Sequence, residues 1–309
     1  MAPSDPPTQG SAVPGLGSVP LWRRLAPLGG MAVGGVYLAA ALIKGLDPGL
    51  FVQQVRDYQI LPSALAPAAA YGFLVIEGLL GLALLLRVWT RGALLLGAAL
   101  MLLFIGATGW AWAHGNASSC GCFGRLASRG PGAVILEDAL FVALLALSWA
   151  GYRPAVPPSW RVRLALGLSP LALLYPWVGP RLPLDSVATG VGPETSLADL
   201  AADDLKFPLD QGRVLVALVG KDCPRCDLAL PGLGAIAGLE GGPRVTAIFA
   251  GDRKEKFEWR NEHVPPFPVA HAPAKTLRQY HRKLPVIFLL DGGKVQKVWW
   301  RGVPAPSDL

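Results

Sequence analysis

Val214-Leu-Val-Ala-Leu-Val-Gly-Lys-Asp-Cys-Pro-Arg-Cys226 decides the fold of the second half of this chain. The apolar run from Val214 to Val219 reads as a buried strand. Cys223-Pro-Arg-Cys226 follows within a few residues and leads into Asp227–Gly238, which can be helical. Outward from this stretch the same alternation continues. Val245–Ala250 reads as a strand, Asp252–His263 as a charged helix, Phe267–Ala272 as a short strand and Ala274–Lys283 as a helix. Val286–Leu290 and Val295–Trp300 flank Asp291-Gly292-Gly293, a hairpin signal.

A strand, a Cys-x-x-Cys, a helix and a closing hairpin, in that order, predict a thioredoxin-like α/β domain. The chemistry fits that placement. A cysteine at a helix start sits on the free N-terminal amides, which favour the thiolate, the nucleophilic form. Cys223 is the expected attacking residue, and Cys226, one turn on, the resolving one. Lys221 and Arg225 add positive charge nearby, and Asp222 opposes them. Leu284-Pro285-Val286, just before a strand, resembles the proline turn that faces the active cysteines in thioredoxins.

The chain has 4 cysteines, and the other two also form a close pair, in Ser119-Cys120-Gly121-Cys122-Phe123-Gly124. Two close pairs with nothing left over suggest thiol–disulfide exchange, and a Cys-Gly-Cys ring is small and of the labile kind. Two alternatives stand beside this reading: a static structural disulfide, and one zinc held by all four thiolates. The one-residue spacing of the first pair is short for zinc and the strand–Cys-x-x-Cys–helix context favours redox, so no metal is expected.

The rest of the chain is of another kind. The whole is 52% hydrophobic and 16% charged, against about 25% charged in an ordinary soluble domain. Residues 1–184 carry 12 Lys and Arg against 6 Asp and Glu, whereas residues 185–309 carry 16 against 15. The basic surplus belongs to the apolar half, where it reads as topology charge at helix ends and not as a nucleic-acid surface. Residues 1–20, rich in Pro, Gly and Ser, read as a disordered tail, and no cleavable signal is evident.

Five apolar segments follow, at roughly 25–43, 66–86, 92–113, 133–150 and 163–180, each approaching the ~20 residues that cross a bilayer core. The bundle is expected over 21–181, a Pro- and Gly-rich linker over 182–193 and the α/β domain over 194–309. The basic loops at 87–91 and 153–163 place the N-terminus inside. Two spans separate the Cys120/Cys122 loop from the α/β domain, so both cysteine pairs face one side, which this orientation makes the extracytoplasmic side of the inner (plasma) membrane. Glu77 lies mid-span. A carboxylate there suggests function by default, with an interhelical hydrogen bond as the plainer reading.

The apolar half resembles the methylamine-utilisation MauE family, related to DoxX-like membrane proteins, over roughly 25–150. The matching features are Lys44, Asp47-Pro48, Phe51, Tyr58, Leu61-Pro62, Glu77 and Ser119-Cys120-Gly121-Cys122-Phe123-Gly124. The second half is similar to thioredoxin-like proteins of the TlpA/MauD type, departing from their pattern where Asp222 stands in place of a Trp. The resemblance implies a role in maturing methylamine dehydrogenase, whose small subunit carries many disulfides.

Together these readings predict a membrane-anchored thiol–disulfide oxidoreductase. It would relay disulfides or electrons among Cys120/Cys122, Cys223/Cys226 and exported cysteine-containing clients, with Pro285, Arg225 and Glu77 in support. The expected partners are the lipid bilayer and those clients, with no nucleic acid. The rivals are a membrane assembly factor with structural cysteines and a DoxX-like respiratory subunit. The sequence demands no cofactor; co-purified quinone would favour the respiratory reading or a quinone-fed relay.

Overall fold

The computed structural model describes residues 21–115, 130–198, 200–300 and 302–309. The expected tail at 1–20 and the pair Cys120 and Cys122 lie outside the described residues.

Among the described residues, five helices are long and apolar enough to cross a membrane. They are α1 (Leu21–Leu46), α3 (Ala66–Leu86), α4 (Thr90–Ala113), α5 (Pro131–Ala150) and α6 (Ser159–Val178), each within a few residues of the apolar segment that predicts it. Pro170 and Pro176 do not break α6, as neighbouring groups can satisfy freed carbonyls in a membrane helix. The outward faces are leucine-rich: Leu95, Leu102, Leu136, Leu140, Leu166 and Leu171 are all exposed, as lipid contact requires. Inside, α1 and α3 pack at backbone distance. A side chain on Gly81 would sit 2.7 Å from the Leu38 nitrogen, and one on Gly34 would sit 2.8 Å from Leu84 Cβ, so glycine is what permits this approach.

One helix was not expected. Pro48–Asp57 forms α2, with Asp47 as N-cap accepting from the Leu50 amide at 3.2 Å and Pro48 in the first turn. The end of the bundle and the linker also carry structure. A 3-10 turn at Gly179–Arg181 and a short helix, α7 (Asp185–Thr189), precede Val191, which is already part of the domain core.

The C-terminal domain is a five-stranded sheet in the order β3-β2-β1-β4-β5. Strands β1 (Arg213–Gly220), β2 (Arg244–Ala250) and β3 (Val269–Ala272) are parallel. The hairpin of β4 (Val286–Asp291) and β5 (Lys294–Trp299) runs antiparallel to β1 through β4. Helices α8 (Pro224–Ala237) and α9 (Arg253–His263) follow β1 and β2. This β-α-β unit closed by a hairpin is a thioredoxin-like fold. Strand β1 is central and buried on both faces, and alternation divides it. Val214, Val216 and Leu218 enter one core; Leu215, Ala217 and Val219 enter the other, beneath α8.

The helix expected over 274–283 is a single turn, α10 (Ala274–Leu277). Beyond Leu277 the chain instead directs Arg278 and Arg282 toward the membrane half, as described below.

Candidate functional site

The sheet positions the cysteines. Strand β1 ends at Gly220, the chain turns through Asp222 with φ of 52°, and Cys223 becomes the N-cap of α8. The left-handed conformation at Asp222 swings the chain from strand into helix; Asp is among the non-glycine residues that tolerate it. Cys223 Sγ accepts the Cys226 backbone N–H at 3.2 Å, and the two sulfurs form a disulfide with Cα atoms 5.2 Å apart. Cys226 is fully buried in the core beneath the helix, whereas Cys223 is partly exposed. Of the two, Cys223 is the one with surface open to solvent.

Pro285 follows a cis Leu284–Pro285 bond. Since Leu218 pairs with Val286, Pro285 lies at the end of the sheet from which the cysteine turn leaves β1. Leu284 Cδ1 lies 2.7 Å from where a side chain on Gly220 would be, so the end of the Leu284 side chain packs against the strand end from which the cysteine turn departs. Arg225 is exposed in the first turn of α8. Lys221 is shared with acids of α9, 4.0 Å from Glu255 and 3.8 Å from Glu258, so part of its charge is spent away from the sulfurs. His263 ties α9 to the cysteine helix: its Nε2 lies 3.0 Å from Asp227 Oδ1, and its Nδ1 lies 2.9 Å from the Trp259 carbonyl oxygen.

Glu77 is far from this site in role and in partner. It is buried in α3 and accepts from Lys44 Nζ of α1 at 2.7 Å. The plainer sequence reading, an interhelical hydrogen bond, is what the bundle contains, with Lys44 as the donor. Lys44, counted above among topology charges, is instead buried at the end of α1, with its ammonium over Phe51 at 4.7 Å and Phe104 at 5.3 Å. It is the sole lysine in residues 1–184, and a mid-span carboxylate in search of a cation is the signal that could have paired them.

The two halves meet through basic residues of the domain that sequence reasoning missed. Arg278 donates to Asp47 Oδ1 at 2.5 Å, Lys275 pairs with Asp57 at 2.9 Å, and both acids belong to the α2 segment. Arg282, with its side chain 3% exposed, donates to the Leu46 carbonyl, to the carbonyls of Gly179 and Leu182 at 3.1 Å and to Asp185 at 3.4 Å. Leu46 ends α1 and Gly179 caps α6, so one guanidinium satisfies carbonyls left over at two helix C-termini, where a cation is also favoured by the helix dipole. Beside it, burial and then the Arg278 guanidinium push the His281 imidazole down to about 3.

These contacts fix which bundle face carries the domain. The C-terminal ends of α1 and α6 lie there. Lys44 near the end of α1, Trp110 near the end of α4 and Val134 near the start of α5 line one cavity. The end of α4 and the start of α5 therefore lie near the end of α1, on the face where the domain docks.

Residues 23–151 match the family described as methylamine utilisation protein MauE. With the five spans, this match makes the chain a multi-pass membrane protein whose first half is similar to that family and whose second half has the thioredoxin-like fold described above. The solution structure of a thiol:disulfide interchange protein from Bacteroides sp. is similar, at 17% identity and a TM-score of 0.31, covering 36% of this chain and 84% of that one. So is the crystal structure of a protein described as thiol:disulfide interchange protein DsbE from Chlorobium tepidum, at 21% identity and a TM-score of 0.32, covering 38% of this chain and 90% of that one. No curated protein matches the chain.

Proposed function

We propose that this protein is a membrane-anchored thiol–disulfide oxidoreductase that passes disulfides between its two cysteine pairs and exported client proteins. The observation that carries the reading is the asymmetry at α8: Cys223 is partly exposed with its Sγ held on the Cys226 amide, and Cys226 is fully buried. A client thiolate attacks Cys223 Sγ, the Cys223–Cys226 bond breaks, and Cys226 leaves as a thiolate. The second client thiol, losing its proton, attacks the client sulfur of the mixed disulfide and releases Cys223 as a thiolate, which the Cys226 N–H stabilises. The client gains a disulfide, the domain gains two electrons, and the steps reverse when the domain is the reductant. Cys120 and Cys122 exchange with Cys223 in the same way, returning the domain to its starting state.

In this reading the N-terminus is cytoplasmic and the domain faces outward from the inner membrane, where exported clients acquire their disulfides. The similarity to the MauE family supports a place in the maturation of methylamine dehydrogenase, a disulfide-rich client of the right kind. The test is a redox titration of the purified full chain in glutathione buffers. Cys223/Cys226 should interconvert between dithiol and disulfide as a two-electron couple. A pair that stays oxidised down to strongly reducing buffer is structural, and the reading then fails.

A further inference from the structure

Ser148 near the end of α5 donates to the Ala26 carbonyl near the start of α1 at 2.6 Å, so these helix ends share the bundle end opposite the docked domain. The turn from α3 to α4 lies there too. From it the Arg91 guanidinium reaches over the Trp149 ring of α5 at 5.4 Å, and Tyr152 stacks on that ring with centroids 6.4 Å apart. Arg87 caps α3, and Arg153 follows Tyr152. Trp89 is exposed between Arg87 and Arg91, with its ring laid over Gly92, where the missing side chain leaves room for it.

Nothing in this corner balances the charge. The acids of the described bundle lie elsewhere. Asp47 and Asp57 face the domain, Glu77 is held by Lys44, and Glu137 and Asp138 sit in the first half of α5, away from Trp149. Stacking occupies the flat face of the Arg91 guanidinium and leaves its in-plane N–H fork for an anion. Phosphate is the anion whose oxygens match that fork in pairs. Depth selects the source of the phosphate. Helix α3 has 21 residues and α5 has 20, which at about 1.5 Å per residue cross the ~30 Å hydrocarbon core. Their ends therefore lie at headgroup level, where Trp and Tyr rings also settle. A zwitterionic headgroup brings a cation that the arginines repel, and an anionic one does not.

We infer that this corner binds the phosphate of an anionic phospholipid, with Arg91 supplying the paired donors and Arg87 and Arg153 the flanking charge. Read from the sequence, these arginines orient insertion. A charge with that role alone has no ligand in the folded protein, so the two readings differ in a measurable way. The site is independent of the chemistry at Cys223.

The experiment titrates the full chain, purified in a neutral detergent, with dioleoylphosphatidylglycerol and counts bound lipid by native mass spectrometry. Binding should saturate, and dioleoylphosphatidylcholine should need about fivefold more lipid or beyond for the same occupancy. Arg91→Gln should keep the melting temperature and weaken binding by about fivefold or more. Arg153→Gln, at an exposed position, should also weaken it and serves if Arg91→Gln does not fold. Arg56→Gln makes the same charge change on α2, beside the domain, and should bind as the wild type does. Equal binding of the two lipids, unchanged affinity in the folded arginine variants, or an equal loss in Arg56→Gln would overturn the inference. Displacement of the lipid by an equal concentration of inorganic phosphate would also overturn it, by making the site one for a soluble anion.

Discussion

Arg278 of the thioredoxin-like domain and Asp47 of the membrane half meet at 2.5 Å, and the same Asp47 oxygen caps helix α2. One carboxylate thus starts a helix that lines the membrane cavity and holds the domain on the bundle. Arg282 adds a second anchor on the ends of α1 and α6. The domain sits on a defined face and does not swing freely from its linker.

Loss of these anchors should release it. Arg282→Ala removes a nearly fully buried guanidinium and leaves carbonyls of two helix ends unsatisfied, at about 1–3 kcal/mol for each buried group left without a partner. Hydrogen exchange across residues 179–193 should rise sharply, with exchange in β1 unchanged. Arg282→Lys should not restore protection, because one ammonium cannot span the carbonyls that the planar fork reaches. Unchanged exchange in Arg282→Ala would mean that the docking contributes nothing to holding the linker.

The ion pair inside the bundle makes a separate forecast. Lys44→Met leaves Glu77 as a buried carboxylate without its cation and should destabilise the protein by roughly 3–5 kcal/mol. The double variant Lys44→Met/Glu77→Gln removes both charges and should recover most of that loss. Thermal unfolding in detergent reads both. If the double variant is as unstable as the single one, the cost lies in packing and not in the unpaired charge.

His281 gives the domain a pH dependence whose sign is fixed. Its folded value of about 3 lies below the ordinary imidazole value of 6.5, so the unfolded chain binds a proton that the folded chain refuses. The contribution is present in full above about 6.5. It is lost as pH falls from there toward 3, at no more than about 1.4 kcal/mol per pH unit. His281→Phe should flatten this part of the stability–pH curve. A wild-type curve that does not fall between pH 6 and pH 4 relative to the variant's would contradict the buried neutral imidazole.

At the cysteines, reduction should expose an order of reactivity. Cys223 is accessible at the helix N-terminus and Cys226 is buried, so alkylation of the reduced protein near neutral pH should label Cys223 first, by about tenfold or more. Peptide mass analysis after brief labelling measures the ratio. Equal labelling would show that burial of Cys226 does not survive reduction.

What the sequence made legible follows from the range of each interaction. Strand β1 and the cysteine turn stand out because burial on both faces writes an unbroken apolar run, and the membrane helices because lipid demands about 20 apolar residues. Helix α2 was hidden because its 10 residues are far too few to register as a membrane span, although Asp47 followed by Pro48 is a helix-start signature. Lys44 looked like an end charge because its partner is 33 residues away in another helix. Arg278 and Arg282 looked like part of a surface helix because nothing local records that Asp47 and the ends of α1 and α6 lie opposite them. Periodicity reports a residue's neighbours along the chain, and these four contacts are all between distant segments.

The central claim is that the two cysteine pairs exchange with one another, and one measurement addresses it directly. In the full chain carrying Cys226→Ala, Cys223 lacks its resolving partner, so a mixed disulfide formed with the loop pair should accumulate. Non-reducing peptide mapping of that protein should recover a peptide joining Cys223 to Cys120 or Cys122. If Cys223 is instead found linked to exported clients and never to the loop, the membrane pair is not its redox partner and the relay is contradicted.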